Sequence, residues 1–170
     1  HAYVNSGEKP EPERIKTGLL GAQLSKHNSG YFEIQKILDG AAWSNSIRSP
    51  LKDLGLNVKT GDFIIAVNGT PTTETLDFFF FFLGQANTEV ELTVNDKPKE
   101  EDSRKILVKT IDDESELYYY NWVQNNIKYV SEKTNGEVGY IHIPDMGPGG
   151  LNEFVKHFYP QLNKKGLIID

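Results

Sequence analysis

One stretch constrains this chain more than any other. It is Val58-Lys59-Thr60-Gly61-Asp62-Phe63-Ile64-Ile65-Ala66-Val67-Asn68-Gly69, a Gly-Asp turn that feeds an apolar run ending in Asn-Gly. Alternation places Phe63, Ile65 and Val67 on one face of a strand, while Ile64 and Ala66 keep the other face apolar too. A strand covered on both faces follows. Asn68-Gly69 supplies the positive φ values that a tight reversal needs.

With 170 residues the chain holds one large domain, or a small one and part of another. A net charge of −6 argues against a nucleic-acid partner, since phosphate binding needs clustered Lys and Arg. The short basic pair Lys164-Lys165 reads as a solvated helix end. There is no cysteine, which removes disulfides, a thiol nucleophile and Cys-based zinc sites. No two histidines have metal-ligand spacing, so neither a metal nor a cofactor is expected. No stretch has the length and apolarity of a membrane span, and no membrane partner is expected. The chain opens on His1-Ala2-Tyr3 and stops on Gly166-Leu167-Ile168-Ile169-Asp170, a run that reads as a buried parallel strand. The expectation is a segment of a longer polypeptide.

Residues 5–17 are polar, with Gly7, Pro10 and Pro12, and read as a linker or exposed loop. Strands are predicted over 19–25 and 31–38 around a turn at His27-Asn28-Ser29-Gly30. Asp39-Gly40-Ala41-Ala42-Trp43 reads as a turn opening a short helix. Thr73-Glu74 starts a predicted helix that runs to about Leu83 and is closed by Gly84. Five consecutive phenylalanines, Phe78 to Phe82, would surround that helix axis, and a core face takes about three of them. The remaining rings would line a groove, meet a neighbouring domain or sit in water. Residues 89–94 alternate with Val90, Leu92 and Val94 inward, and 104–109 form the returning strand.

Composition shifts after Asp112-Asp113-Glu114. Spacing predicts a helix over 116–133, with a stripe of Tyr119, Val123, Ile127 and Val130 flanked by Tyr118 and Trp122, ended by Asn135-Gly136. A strand over 138–143, an amphipathic helix through Leu151, Phe154, Val155, Phe158 and Leu162, and a strand over 166–170 follow. That order is the start of an α/β unit. His27 reads as a solvated turn residue, His142 as a hydrogen-bonded core histidine and His157 as exposed. Asp39, Asp62 and Asp145 read as turn or cap residues.

The run over 58–69 resembles the signature of a PDZ domain, a module that captures peptide ends by strand addition. Gly18-Leu19-Leu20-Gly21-Ala22 stands where that family has its carboxylate-binding loop, with Leu20 and Ala22 in place of the commonest residues. By that resemblance the peptide-binding residues are Gly18, Leu19, Leu20, Gly21, Ala22, Gln23 and Leu24, and the 73–83 helix flanks the groove. Small residues suit such a loop because a side chain would keep a carboxylate from the backbone amides. The alternative is a strand start that happens to carry two glycines.

A second resemblance covers essentially the whole chain. Val138-Gly139-Tyr140-Ile141-His142-Ile143-Pro144-Asp145-Met146-Gly147 and Gly150-Leu151-Asn152-Glu153-Phe154, with Trp122 upstream and residues 166–170 downstream, are similar to the tricorn proteases. These are large serine peptidases with a PDZ domain and a catalytic core shared with the C-terminal processing proteases. The implied fold is an α+β PDZ-like partial barrel of antiparallel strands with helices, then the opening of an α/β catalytic-core domain. The implied domains are a linker over 1–17, the PDZ domain over 18–111 and an incomplete second core half over 112–170. His1-Ala2-Tyr3 matches the context of the family's catalytic histidine, so His1 would be the general base, a role suited to an imidazole. A terminal histidine left by a tag is the alternative.

The resemblance implies a parent that hydrolyses short peptides by serine acyl transfer and is a homo-oligomer. It is expected to be cytoplasmic, or periplasmic if it carries a leader. The segment alone is expected to be inactive, because the nucleophile and oxyanion donors lie outside it. The rivals are a non-enzymatic PDZ adaptor that binds peptide C-termini, and an oligomer-assembly module that uses the phenylalanine run.

Overall fold

The both-faces-apolar strand sits where its pattern requires. In the computed structural model, which describes residues 14–41 and 43–170, Phe63–Val67 (β3) lies in the middle of an antiparallel sheet. The other strands are Ala22–Lys26 (β1), Phe32–Ile37 (β2), the two-residue Thr70–Pro71 (β4), Glu89–Asn95 (β5) and Arg104–Lys109 (β6). Strand order is β1-β2-β3-β5-β6, with β4 paired to β3. Ile64 and Ile65, which point to opposite faces, are 0% and 1% exposed, so both faces are covered. Asn68 and Gly69 take φ of +48° and +81°, and the reversal between β3 and β4 is the tight one the sequence predicts.

The sheet is open. Its two ends are tied by one isolated bridge, in which Leu19 N–H donates to the Ile111 carbonyl at 2.8 Å and Ile111 N–H returns a bond at 3.0 Å. The core on one side gathers Leu20, Phe32, Ile34, Leu51, Val67, Phe78, Phe82, Val90 and Leu92. Burial of such side chains, at about 25 cal/mol per Å² of apolar surface, is the main favourable term.

The segment after β4 departs from expectation. Instead of one helix over 73–83 there are two 3-10 turns, Thr72–Glu74 and Phe78–Phe82, separated by extended backbone at Thr75. Threonines and consecutive phenylalanines are poor helix formers. Asp77 also accepts the Phe79 N–H at 3.0 Å, a local bond that caps the second turn and competes with a continuous helix. The expected split of the phenylalanines holds all the same. Phe78 and Phe82 are buried and Phe81 packs half-buried on the core, whereas Phe79 and Phe80 are 48% and 64% exposed. The short helix expected around 39–43 is absent among the described residues; a 3-10 turn forms later, at Pro50–Lys52.

Beyond β6 the architecture changes. Ser115–Lys133 (α1), Val138–Ile141 (β7), Pro148–Phe158 (α2) and Gly166–Ile169 (β8) alternate, and β7 pairs with β8 in parallel. α1 ends at a left-handed Asn135-Gly136, with Gly136 N–H donating to the Ser131 carbonyl at 2.7 Å. The buried side of α1 is Leu117 and Asn121; the expected stripe is only half-buried at Val123, Ile127 and Val130, and Tyr119, Tyr118 and Trp122 are exposed. Asp145 caps α2, accepting from Gly147 N–H at 2.6 Å and Gly150 N–H at 3.2 Å. No helix among the described residues is long and apolar enough to cross a membrane.

Candidate functional site: the Gly18–Leu24 loop and strand edge

The loop is built by crowding. Gly18 N–H donates to the Phe82 carbonyl at 2.8 Å, and a Cβ on Gly18 would stand 2.6 Å from the Gln85 carbonyl oxygen, so only glycine fits. Leu19 makes the bridge to Ile111, and Leu20 turns into the core, 4% exposed. Gly21 bends the chain at φ +68°, and its carbonyl accepts the Leu38 N–H at 2.8 Å. β1 then runs out along β2, with a bulge between Gln23 and Leu24. Ala22 and Leu24 pack on the core, while Gln23 is exposed.

β1 ends the strand order, and no strand among the described residues pairs with its outer edge. An unpaired row of N–H and C=O groups is what strand addition uses. Residues 72–83 run beside that edge and are tied to it at both ends. Near the loop, Gly18 meets Phe82 and Thr17 bridges to Leu83. At the far end, Lys26 Nζ donates to the Thr72 and Thr75 carbonyls at 2.8 and 2.5 Å and lies 4.4 Å over the Phe32 ring. Partial burial holds that ammonium below the ordinary lysine value.

The Gly21 N–H is already engaged. It donates to Glu114 Oε1 at 2.7 Å. Burial pushes the Glu114 carboxyl above the usual carboxylate value, and the Asp113 charge adds to the rise, while the Gly21 bond acts against it. A Cβ on Gly21 would meet Leu117 and Pro50 at 3.0 Å, so the bend sits tightly beneath the start of α1. Nearby Ser49 Oγ is buried without a hydrogen-bond partner among the described residues.

A second concavity lies between α1, β7 and α2. This cleft of about 560 Å³ is lined in part by Trp43, Tyr119, Val123, Ile127, His142 and His157. Beside it Tyr140 Oη donates to Asp170 Oδ2 at 2.5 Å and accepts from Asn126 at 3.1 Å; His142 Nδ1 stands 3.3 Å from the same Asp170 oxygen. Burial, then the bond to Asp170, raises the Tyr140 phenol, and the Tyr140 bond chiefly lowers the Asp170 carboxyl. His142, half-buried where the sequence predicts a core histidine, packs edge-on against Trp122 at 4.9 Å. His157 is not exposed as expected; it is half-buried, with Nε2 3.1 Å from Glu153 one helical turn away. His27 Nδ1 bonds Ser29 in its turn, and Asp62 Oδ2 accepts the Lys59 N–H at 3.1 Å. His1 lies outside the described residues.

The family description "Tricorn protease PDZ domain" matches residues 18–113, more than half of the chain. The chain belongs to the tricorn protease family. It is 31% identical, over its full length and 16% of the relative's, to the tricorn protease of Thermoplasma volcanium. It is 33% identical, over its full length and 15% of the relative's, to the tricorn protease homolog of Saccharolobus solfataricus. A crystal structure of the tricorn protease superposes with a TM-score of 0.76 at 28% identity, over 91% of this chain and 15% of that one. The chain therefore spans about a sixth of the length of these relatives.

The structure brings Gly18, Leu19, Leu20, Gly21, Ala22, Gln23 and Leu24 together as one loop and strand edge. Two residues next to that unit escape sequence reasoning. Glu114 reads only as part of an acidic boundary, and Asn121 carries no sequence signal of its own. Asn121 is 5% exposed; its Oδ1 accepts the Asp39 N–H and its Nδ2 donates to the Asp39 carbonyl, both at 2.8 Å. The available signal is their spacing with Leu117, which repeats at i, i+3 and i+7 along one helical face.

Proposed function

We propose that the chain is an internal segment of a tricorn-like serine peptidase that hydrolyses short peptides by serine acyl transfer. Residues 1–17 are the linker from the preceding core half, 18–111 the PDZ module and 112–170 the opening of the second core half. The module positions or gates peptides by holding their C-terminal ends at Gly18–Leu24 along the β1 edge. One observation carries this reading: a glycine-bent loop whose backbone N–H holds a carboxylate, leading into an unpaired strand edge. The match to the tricorn PDZ description supports it.

His1 is the general base that takes the serine proton, and the nucleophile and oxyanion donors come from elsewhere in the parent. The parent is a cytoplasmic homo-oligomer. Two measurements test the proposal. The parent should turn over fluorogenic peptides and lose that activity on His1→Ala, while the 170-residue chain alone does not turn them over. Free-acid peptides should bind the chain and their amides should not. Hydrolysis by the chain alone, an active His1→Ala parent or equal binding of acid and amide overturns the corresponding part.

A further inference from the structure

Resting on the peptide-end reading above, we propose that Glu114 is the internal ligand of the loop. Its carboxylate occupies the Gly21 amide that an arriving peptide carboxylate needs, so peptide ends enter only when the start of α1 gives way.

The chemistry of the two ligands is the same. A glutamate side chain and a peptide C-terminus each present a carboxylate, and one N–H cannot make a full bond to both. At 2.7 Å the Glu114 bond is as short as charge-assisted bonds are. Glu114 also forgoes the job its position offers. It stands at the N-cap of α1, yet its side chain caps no amide of that helix. Asp113 does so instead, accepting from Ser115 N–H at 2.8 Å. The Glu114 side chain is thus directed across the domain junction, into the loop.

The first turn of α1 covers the same place. Leu117 is fully buried, and it and Pro50 would each stand only 3.0 Å from a Cβ on Gly21. No Lys, Arg or His among the described residues forms an ion pair with Glu114. A partly buried carboxylate held by a backbone amide and lacking a cation regains hydration when it leaves. Exchange for a peptide carboxylate keeps the Gly21 bond while returning Glu114 to water.

The experiment uses the 170-residue chain as wild type, Glu114→Gln and Glu114→Ala. The probe is a pool of dye-labelled heptapeptides, randomised at their last four positions, with free carboxylates; the same pool amidated is the control. Anisotropy should show the acid pool binding Glu114→Ala about tenfold or more tighter than wild type. Glu114→Gln, which keeps the side-chain shape but loses the charge, should gain about threefold or more. Amidated peptides should gain nothing. In amide NMR spectra the Gly21 proton should move upfield in Glu114→Gln, independently of any peptide.

Equal acid-pool affinity in all three proteins, with amides weaker, overturns the internal ligand and leaves the peptide-end reading standing. Acid and amide pools binding alike, or neither binding, overturns the peptide-end reading and this inference with it. An unmoved Gly21 proton overturns the Glu114 contact itself. Should Glu114→Ala fail to fold, Glu114→Gln and the Gly21 proton decide the matter.

Discussion

Phe82 and Phe80 belong to the same 3-10 turn and are chemically identical, yet their removal should differ by several kcal/mol. Phe82 is 0% exposed, with its ring centroid 5.0 Å from that of Phe78 inside the core, whereas Phe80 is 64% exposed. Truncating a buried phenylalanine to alanine loses the transfer energy and leaves a cavity, together about 3–5 kcal/mol. Truncating the exposed ring should stay within about 0.5 kcal/mol of wild type. Domains of this size have about 5–15 kcal/mol in all, so Phe82→Ala removes a large share while Phe80→Ala is nearly silent. Urea unfolding followed by far-UV circular dichroism reads the difference. With a slope of about 2 kcal/mol per molar, a 4 kcal/mol loss lowers the midpoint by about 2 M. The slope itself should not change. Equal midpoints for the two variants, or a Phe82→Ala midpoint at the wild-type value, would refute the placement of these rings.

Three further outcomes are expected. Asn121→Ala removes both part-buried bonds to the Asp39 backbone, so stability should fall by about 1–3 kcal/mol in the same assay; no change would mean that the junction is not held there. Gly21→Ala combines a left-handed φ of +68° with a Cβ at 3.0 Å from Leu117 and Pro50, and should lose more stability than Gly61→Ala, where φ is +91° but the space is open; the reverse order would contradict the packing of the loop beneath α1. The pH dependence follows from Glu114, whose folded value is raised chiefly by burial. Its favourable contribution is present in full below the unfolded value, about 4.3, and is lost as pH rises through the higher folded value. Wild type should therefore lose urea resistance relative to Glu114→Gln across that window, and a flat or rising difference would be inconsistent with the burial.

Much of the sheet could be read before any coordinates because its signals are local. The period-2 run at Phe63 to Val67, the Asn68-Gly69 reversal and the alternating Val90, Leu92 and Val94 each state strand and register within a few residues. Over 73–83 apolar density suggests a helix that the weak propensity of these residues does not support. Five aromatic rings look like a helix only if one ignores their poor helix preference and the capping carboxylate of Asp77. β1 starts three residues later than expected, since Leu19 and Leu20 are spent on the bridge to Ile111 and the bend at Gly21. The strand predicted over 138–143 ends at Ile141, two residues early, and the chain then turns toward the Asp145 cap of α2.

The junction was illegible for a different reason. Patterns of apolar residues find faces that meet apolar partners, and α1 has two inward faces of unlike chemistry, one half-buried and one buried. One carries Val123 and Ile127 toward the cleft beside β7, and this is the face that the sequence announces. The other carries Glu114, Leu117 and Asn121 toward the first sheet, where the partners are the N–H of Gly21 and both backbone groups of Asp39. Polar side chains are right there because the loops at Gly21 and Asp39 offer backbone groups that need hydrogen bonds, and an apolar helix face would leave them unpaired. Such a face has no hydrophobic period to detect, and its meaning depends on residues about 80–90 positions away, as the separations of 93 and 82 in these bonds record. The loop and the carboxylate on it are therefore legible only together: the sequence shows two glycines, and the structure sets the Glu114 carboxylate on the N–H of the second.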